Sequence, residues 1–388
     1  MTATIRIALL CAFTGLLAVL LSSCATGKHA EPVTPPVSQS EPPADEAPDY
    51  QTNLPGILPE LSQYRVVLVG ERHDRLDHHV VQLDIIKYLY SVNPLLAIGL
   101  EMVQQPYQLA LTDFVEGRID EQTMLEKTDY FSRWRYDYRL YAPILRFARD
   151  NRIPLVALNV PSEVTRQTAR EGLVSLTGSA RNYIPESIDR TLPGYEQRIR
   201  DSYEMHGEHA MGDVENFIDA QLLWDEGMAS RAADYLQDNP ARQMVVLAGS
   251  GHIINRTGIP QRLERRINSP VVTVLPAMDE EGEEQAGTAD FWVKTTSLEL
   301  PDKGLLGIML ETDERGVYAS SFTENSAASQ VGVKERDYIR SINNRSISSN
   351  ADVGLAMWDK KPGESVQLTV DRGQEAELQV LRFEIRLH

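Results

Sequence analysis

Five short apolar runs, none of them alternating in polarity, limit the folds open to this chain more than any other feature. They fall at residues 66–69, 95–100, 155–158, 244–248 and 271–275, each rich in Val, Ile or Leu. A strand with one wet face alternates, whereas a strand covered on both faces does not. Helical periodicity fills the chain between the runs. In 77–90, for example, Val80, Val81, Leu83, Ile85, Ile86 and Leu89 form an apolar stripe that leaves Asp84 and Lys87 outside. The pattern predicts an α/β domain, a mostly parallel sheet with flanking helices. The stretch 161–240 holds no convincing strand and predicts a helical subdomain. No internal repeat is visible.

The first 23 residues carry one charge, Arg6, then an apolar run and small residues, the layout of an export signal and too short for a permanent span. Leu21-Ser22-Ser23-Cys24 resembles the bacterial lipobox, in which the cysteine is diacylated before cleavage. One acyl chain holds a protein only marginally, at about 0.8 kcal/mol per buried methylene, so two at Cys24 meet the need. Ala25 stands where an aspartate usually retains lipoproteins at the inner membrane, so the expected site is the outer membrane of a Gram-negative cell, facing the periplasm. Cleavage removes Cys11, the only other cysteine, and leaves no internal disulfide. It also removes Arg6, taking the formal charge from −18 to −18 − 1 = −19. Such an acidic surface excludes nucleic acid and anionic lipid as favoured partners.

Composition divides the rest. Residues 24–51 contain Pro32, Pro35, Pro36, Pro42, Pro43 and Pro48 with little to bury, an extended tether. Residues 52–277 make the α/β domain. Residues 278–298 open with Asp279, Glu280, Glu281, Glu283 and Glu284 and read as an acidic linker. Residues 299–388 read as short strands around two helical pieces, a small α+β domain.

In open parallel sheets, ligands bind beyond the carboxyl ends of the strands. Gly70-Glu71-Arg72-His73-Asp74 follows the first run, Glu101-Met102 the second, Asn159-Val160-Pro161 the third, and Gly249-Ser250-Gly251-His252 the fourth. Two histidines, two carboxylates and an amide thus arrive at one edge. Imidazole and carboxylate suit a divalent metal ion or acid–base work on a bound water. His73, Glu101 and His252 together form the candidate site and metal ligand set, with Glu71 and Glu101 as catalytic candidates. Taken singly, each has a structural reading: Glu71 and Arg72 as a surface ion pair, Asn159 as a loop hydrogen-bonder. His78 and His79 fall in the first turn of a helix, where one faces the site and the other solvent.

Gly-x-x-His thus occurs twice, at 70–73 and 249–252, with Glu101 between. This resembles the clan that joins ChaN-like haem-binding lipoproteins, erythromycin esterases and Tiki-type metalloproteases. The runs 141–148 (YAPILRFA), 157–161 (ALNVP) and 220–229 (AQLLWDEGMA), then Gly251-His252 with Gly258-Ile259-Pro260, are similar to the ChaN pattern in order. The resemblance implies a lipoprotein that binds haem and serves iron acquisition. It also implies haem held by a tyrosine oxygen in a paired arrangement between two subunits, hence a homodimer. A phenolate is one known axial ligand for haem iron. Tyr203, with Tyr183 and Tyr195, is the candidate in the helical segment, near His206 and His209, and His73, Glu101, Asn159 and His252 are the other cofactor-binding candidates. No Cys-x-x-Cys-His is present, which excludes covalent haem attachment.

The carboxyl-terminal order resembles a bacterial PDZ domain. Gly304-Leu305-Leu306-Gly307-Ile308 precedes a strand near 317–322, then Asn325-Ser326-Ala327-Ala328, 337–343, a helix at 352–358 and a strand at 366–370. The resemblance implies a peptide or protein carboxyl terminus bound along a sheet edge, with Leu305, Leu306, Gly307 and Ile308 as the loop that meets the carboxylate. Arg336-Asp337 replaces the usual Gly-Asp pair. Three functions stand open on these residues: haem binding without turnover, metal-dependent hydrolysis, and a periplasmic scaffold. One fold can host any of them.

Overall fold

The structure is a computed structural model that describes residues 53–206, 213–277, 288–373 and 377–388. Cys24, the signal, the tether, His209 and the acidic cluster at 279–284 lie outside the described residues. Among the described residues no helix is long and apolar enough to cross a membrane.

All five apolar runs are strands: β1 (Val66–Glu71), β2 (Leu96–Gln104), β3 (Leu155–Asn159), β4 (Gln243–Gly249) and β5 (Val271–Ala277). Every residue in them is buried, as the lack of alternation requires. A sixth strand, β6 (Phe291–Lys294), completes a wholly parallel sheet in the order β3-β2-β4-β1-β5-β6. This corrects the extent of the linker, because 291–294 belong to the sheet. Asp290 fixes the approach of β6: its Oδ2 accepts the Thr273 N–H and hydroxyl, each at 2.8 Å.

Among the described residues ten α-helices accompany the sheet. They are α1 (Leu54–Leu61), α2 (Leu76–Val92), α3 (Gln108–Val115), α4 (Glu121–Lys127), α5 (Tyr130–Arg133), α6 (Ala142–Asp150), α7 (Ser162–Glu171), α8 (Tyr195–His206), α9 (Val214–Asp238) and α10 (Ile259–Ile267). The predicted stripe of α2 buries Val81, Ile85, Ile86 and Leu89, while Val80 is exposed and Asp84 pairs with Lys87 at 3.8 Å. The region 161–240 is helical, without a strand among its described residues. Aspartates cap two helix starts: Asp120 accepts from Thr123 N before α4 and Asp213 from Asn216 N before α9.

The second sheet is antiparallel, in the order β12-β11-β9-β8-β7, with β10 hairpinned on β9. Its strands are β7 (Ile308–Asp313), β8 (Gly316–Phe322), β9 (Tyr338–Ile342), β10 (Arg345–Ser346), β11 (Ser365–Arg372) and β12 (Gln379–Arg386). Helices α11 (Ala327–Gln330) and α12 (Asn350–Met357) pack on it, α12 begun by a Ser349–Asp352 capping box. Arg336 carries φ +66°, a left-handed position where glycine costs less. Its guanidinium lies 4.4 Å over the Tyr318 ring, and buried Asp337 takes two 2.7 Å hydrogen bonds from Arg372.

Gln51–His388 form one compact unit, so the two sheets share an interface. Arg139 donates to the Pro301 carbonyl at 2.7 Å, Arg345 pairs with Glu126 at 3.2 Å, and Trp358 packs edge-on to Tyr138 at 5.3 Å.

Candidate functional site

Strand order brings the histidines together. β4 lies between β2 and β1, so Glu101 within β2 stands on one side, His73 just past β1 on the other, and Gly249 ends the strand between them. Gly249 has no side chain for a spatial reason. A Cβ there would come within 2.9 Å of His73 Cε1, 3.1 Å of His73 Nε2 and 3.6 Å of Glu101 Oε2. Its N–H donates to Glu101 Oε2 at 2.6 Å.

Each histidine is held from behind by a buried carboxylate. Glu71, 3% exposed, accepts from His73 Nδ1 at 2.7 Å and Tyr141 OH at 2.5 Å through Oε1, and from Gln82 Nε2 at 2.7 Å through Oε2. Burial works against its charge, but His79, His73 and Tyr141 outweigh that and lower its pKa to about 2. On the other side, His252 Nδ1 meets Asp225 Oδ1 at 2.6 Å, and Tyr195 OH donates to Asp225 Oδ2 at 2.8 Å. His252 Nε2 lies 3.4 Å from Glu101 Oε1. Burial disfavours a charged His252, yet Glu101 and Asp225 prevail and raise its pKa to about 10. His73 is raised against the same burial cost, by Glu71 and Glu101. Glu101 and Asp225 are both lowered despite burial, mainly by His252.

The structure therefore brings His73, Glu101 and His252 together, but in carboxylate-paired roles. Among the described residues no three His, Cys, Asp or Glu side chains are arranged to hold a metal ion. Both ring nitrogens of His252 already face carboxylates. Glu71 is no surface ion pair: it is buried, and Arg72 lies 3.9 Å from Asp74 instead. Asn159 donates to the Glu101 carbonyl at 2.8 Å, tying β3 to β2. His78 and His79 are both buried, so neither faces solvent. His78 Nδ1 accepts the Arg72 N–H at 3.0 Å, and His79 Nε2 lies 3.2 Å from the His73 carbonyl. Burial and the nearby Arg75 overcome Asp77 and lower His78 to about 4, consistent with an accepting, neutral ring.

Aromatic rings border the histidines. Trp134 and Tyr136 lie 4.7 and 5.0 Å from the His73 ring, and Trp224 lies 5.0 Å from that of His252. Beyond the ends of β2 and β3 opens a cavity of about 370 Å³ lined by Gln104, Tyr107, Arg133, Pro161 and Tyr183. Tyr203 is half-buried on α8 with its ring 5.4 Å from Phe217.

Asp225, Tyr141, Gln82, Trp134 and Tyr136 were not singled out by pattern. Asp225 had a signal: Asp225-Glu226 are adjacent acids inside an otherwise apolar helical run. Trp134 and Tyr136 lie in an irregular stretch between α5 and α6, where periodicity says nothing.

In the PDZ-like part, Gly307 has φ +72°, and a Cβ there would come within 2.7 Å of the Ser326 backbone. The carbonyls of Leu306 and Gly307 accept from Ala328 N and Thr323 N, both at 3.0 Å, which ties this loop to α11. Leu305 is exposed at its rim.

Fold and site together define a parallel α/β domain with a histidine–carboxylate cluster at its ligand edge, joined to a PDZ domain that matches over residues 304–381. Residues 57–263 match the family described as haem-binding uptake, Tiki superfamily, ChaN, and the chain belongs to that family. A solved structure of ChaN of Campylobacter jejuni with cofacial haem superposes with a TM-score of 0.50 at 18% identity, covering 63% of this chain and 92% of that one. An erythromycin esterase in its open conformation aligns at TM-score 0.37 and 15% identity over 64% of this chain and 80% of that one. Protein RETICULATA-RELATED 5, chloroplastic, of Arabidopsis thaliana is 25% identical over 237 residues, 56% of this chain. The match spans 32% of that longer protein.

One feature of His73 suits a haem-iron ligand, the carboxylate behind its ring. Despite burial, Glu71 and Glu101 also raise its pKa, so a proton must leave before Nε2 can bind iron. Metal-bound imidazoles characteristically present one nitrogen while a carboxylate holds the other, as Glu71 holds Nδ1 here. The buried phenols do not fit. Burial first, then nearby carboxylates, push Tyr130, Tyr138, Tyr141 and Tyr195 well above the ordinary range, so they stay protonated.

Proposed function

We propose that this protein is a membrane-anchored haem-binding lipoprotein of haem and iron uptake, whose PDZ domain captures a peptide or protein carboxyl terminus. The observation that carries the reading is His73, a partly exposed imidazole backed by Glu71 and bordered by Trp134 and Tyr136, in a chain of the ChaN family. Bound haem would supply an iron that accepts an imidazole or phenolate. His73 would hold it, Trp134 and Tyr136 would shield one side, and Tyr183 or Tyr203 could serve from the helical part. Titrating the protein with haemin should give a saturable visible spectrum, weakened about tenfold or more by His73→Ala. Sedimentation of that complex as a dimer supports the paired arrangement. Featureless, non-saturating absorbance rules the reading out.

Anchoring through Cys24 at the outer membrane belongs to the same proposal, supported by the lipobox-like Leu21-Ser22-Ser23-Cys24. A Cys24→Ser form should leave the membrane fraction for the soluble periplasm. If it still sediments with membranes, the anchor is elsewhere.

The shared carboxylate favours a second reading, hydrolysis. Glu101 lies between two imidazoles, an arrangement suited to moving a proton onto or off a bound water or ester. Glu101→Gln should then abolish turnover of nitrophenyl esters, and a stoichiometric divalent metal lost on His73→Ala and His252→Ala would make the reaction metal-dependent. Ester turnover that survives Glu101→Gln, or none at all in the parent protein, removes this reading.

A further inference from the structure

Helix α12 belongs to three surfaces. Val353 and Met357, one turn apart, and Ile308 and Leu310 of β7 all pack at the margin of the small domain's core, each partly exposed. Since β7 ends its sheet, this apolar trough runs beside an unpaired strand edge. Ala356 points into the small domain's core. The third surface meets the large domain: Leu355, 6% exposed, joins that domain's core, with Trp358 packed against it.

The third surface has no slack. A Cβ on Gly354 would lie 2.9 Å from Phe131 Cδ1 and 3.0 Å from Cγ. Phe131 sits in α5, a single turn whose Tyr130 carbonyl accepts the Trp134 N–H at 2.8 Å. Trp134 and Tyr136 are the rings against His73. One continuous stack of packed groups therefore links the wall of the PDZ trough to the aromatic border of the large domain's site.

We propose that an extended peptide with apolar side chains, seated between β7 and α12, shifts α12 against Phe131 and so resets Trp134 and Tyr136 at His73. Partner capture then tunes ligand binding at the sheet edge. An added strand must place side chains on Val353 and Met357, which displaces the helix away from β7 and towards Leu355, on the face that Phe131 and the large domain's core already pack. Packed interfaces respond to such displacement in discrete steps rather than by compressing. The inference rests on the proposed function in two respects, that the trough takes a peptide and that the His73 edge takes haem.

The test uses the full chain labelled with 5-fluorotryptophan, the Trp134 resonance being assigned through Trp134→Phe. A ten-residue peptide of alternating Val and Ser with a free carboxyl terminus is titrated in, its binding followed by anisotropy. The Trp134 resonance should shift in step with occupancy, and haemin affinity should change about fivefold or more. Phe131→Leu, or Phe131→Ala if Leu still transmits, should leave peptide binding intact and suppress both responses. A peptide that binds while Trp134 and haemin affinity stay fixed overturns the coupling and leaves the peptide reading standing. A Trp134 shift in a protein that never binds haemin upholds the coupling and removes only the haem reading. No peptide binding overturns both the groove reading and the coupling.

Discussion

Arg262→Ala is expected to destabilise the protein by about 3–5 kcal/mol, a large share of the 5–15 kcal/mol that holds an ordinary domain folded. Arg262 and Glu226 are both fully buried. Arg262 Nε lies 3.1 Å from Glu226 Oε1, at ion-pair distance but off the line of a hydrogen bond. Its Nη1 donates to the carbonyls of Thr257 and Gly258, its Nη2 to that of Asp189 at 3.1 Å, and its plane lies 4.3 Å over the Tyr195 ring. Arg266 approaches Glu226 Oε2 at 2.6 Å and Arg265 approaches Oε1 at 3.3 Å. Truncation leaves three carbonyls short of a donor and takes one of three guanidinium partners from the buried Glu226. That desolvation, rather than the lost attraction alone, sets the size of the effect. Urea denaturation followed by far-UV circular dichroism measures it. A loss under about 1 kcal/mol would show that water enters and replaces the guanidinium.

The second large effect falls on His252. Asp225→Asn removes one of the two carboxylates that hold its pKa near 10 and leaves the burial that opposes protonation. The midpoint should fall by about 1–3 units, read from the imidazole resonances by NMR. The sign for stability follows from the direction of each shift. A raised histidine stabilises fully below its ordinary value of 6.5, and that contribution fades as pH rises towards about 10. Glu71, depressed to about 2, acts oppositely: its contribution is complete above its ordinary 4.5 and is lost as pH falls towards 2, with Glu101 and Asp225 shifted the same way. The parent protein should thus lose stability gradually as pH rises from about 6.5 towards 10, and again on acidification between about 4.5 and 2. In Asp225→Asn the alkaline loss should be smaller and complete at a lower pH than in the parent. An unchanged alkaline limit would mean that Glu101 alone keeps His252 charged.

Much of this was legible in residues because burial on both faces leaves an unmistakable trace. The five runs that lack alternation are five of the six strands of the parallel sheet, and residues just past them come together at one edge. β6 escaped notice because Phe291, Trp292 and Val293 are too few to make a run and follow a dense set of acids. At the site, His73, Glu101 and His252 were found through the turns that carry them. What they do was not legible, since a Gly-x-x-His segment looks the same whether its imidazole faces a metal or a carboxylate. The partners that decide this, Asp225 on α9 and Tyr141 ahead of α6, are distant in sequence, and only packing brings them in. The Arg336 departure from the PDZ pattern left the fold intact because the left-handed turn survives, with the side chain resting on Tyr318.

The shared helix α12 also bears on how the two domains can be studied apart. Cutting the chain near residue 300 would leave the large domain with Phe131, Tyr138 and the seat of Leu355 uncovered. The small domain would carry an outward Leu355 and Trp358. Each fragment would then own an adhesive apolar patch that the intact chain hides. Aggregation or lost binding in such pieces would report the cut surface rather than the separate duties of the halves, so point substitutions in the whole chain are the sounder way to divide them.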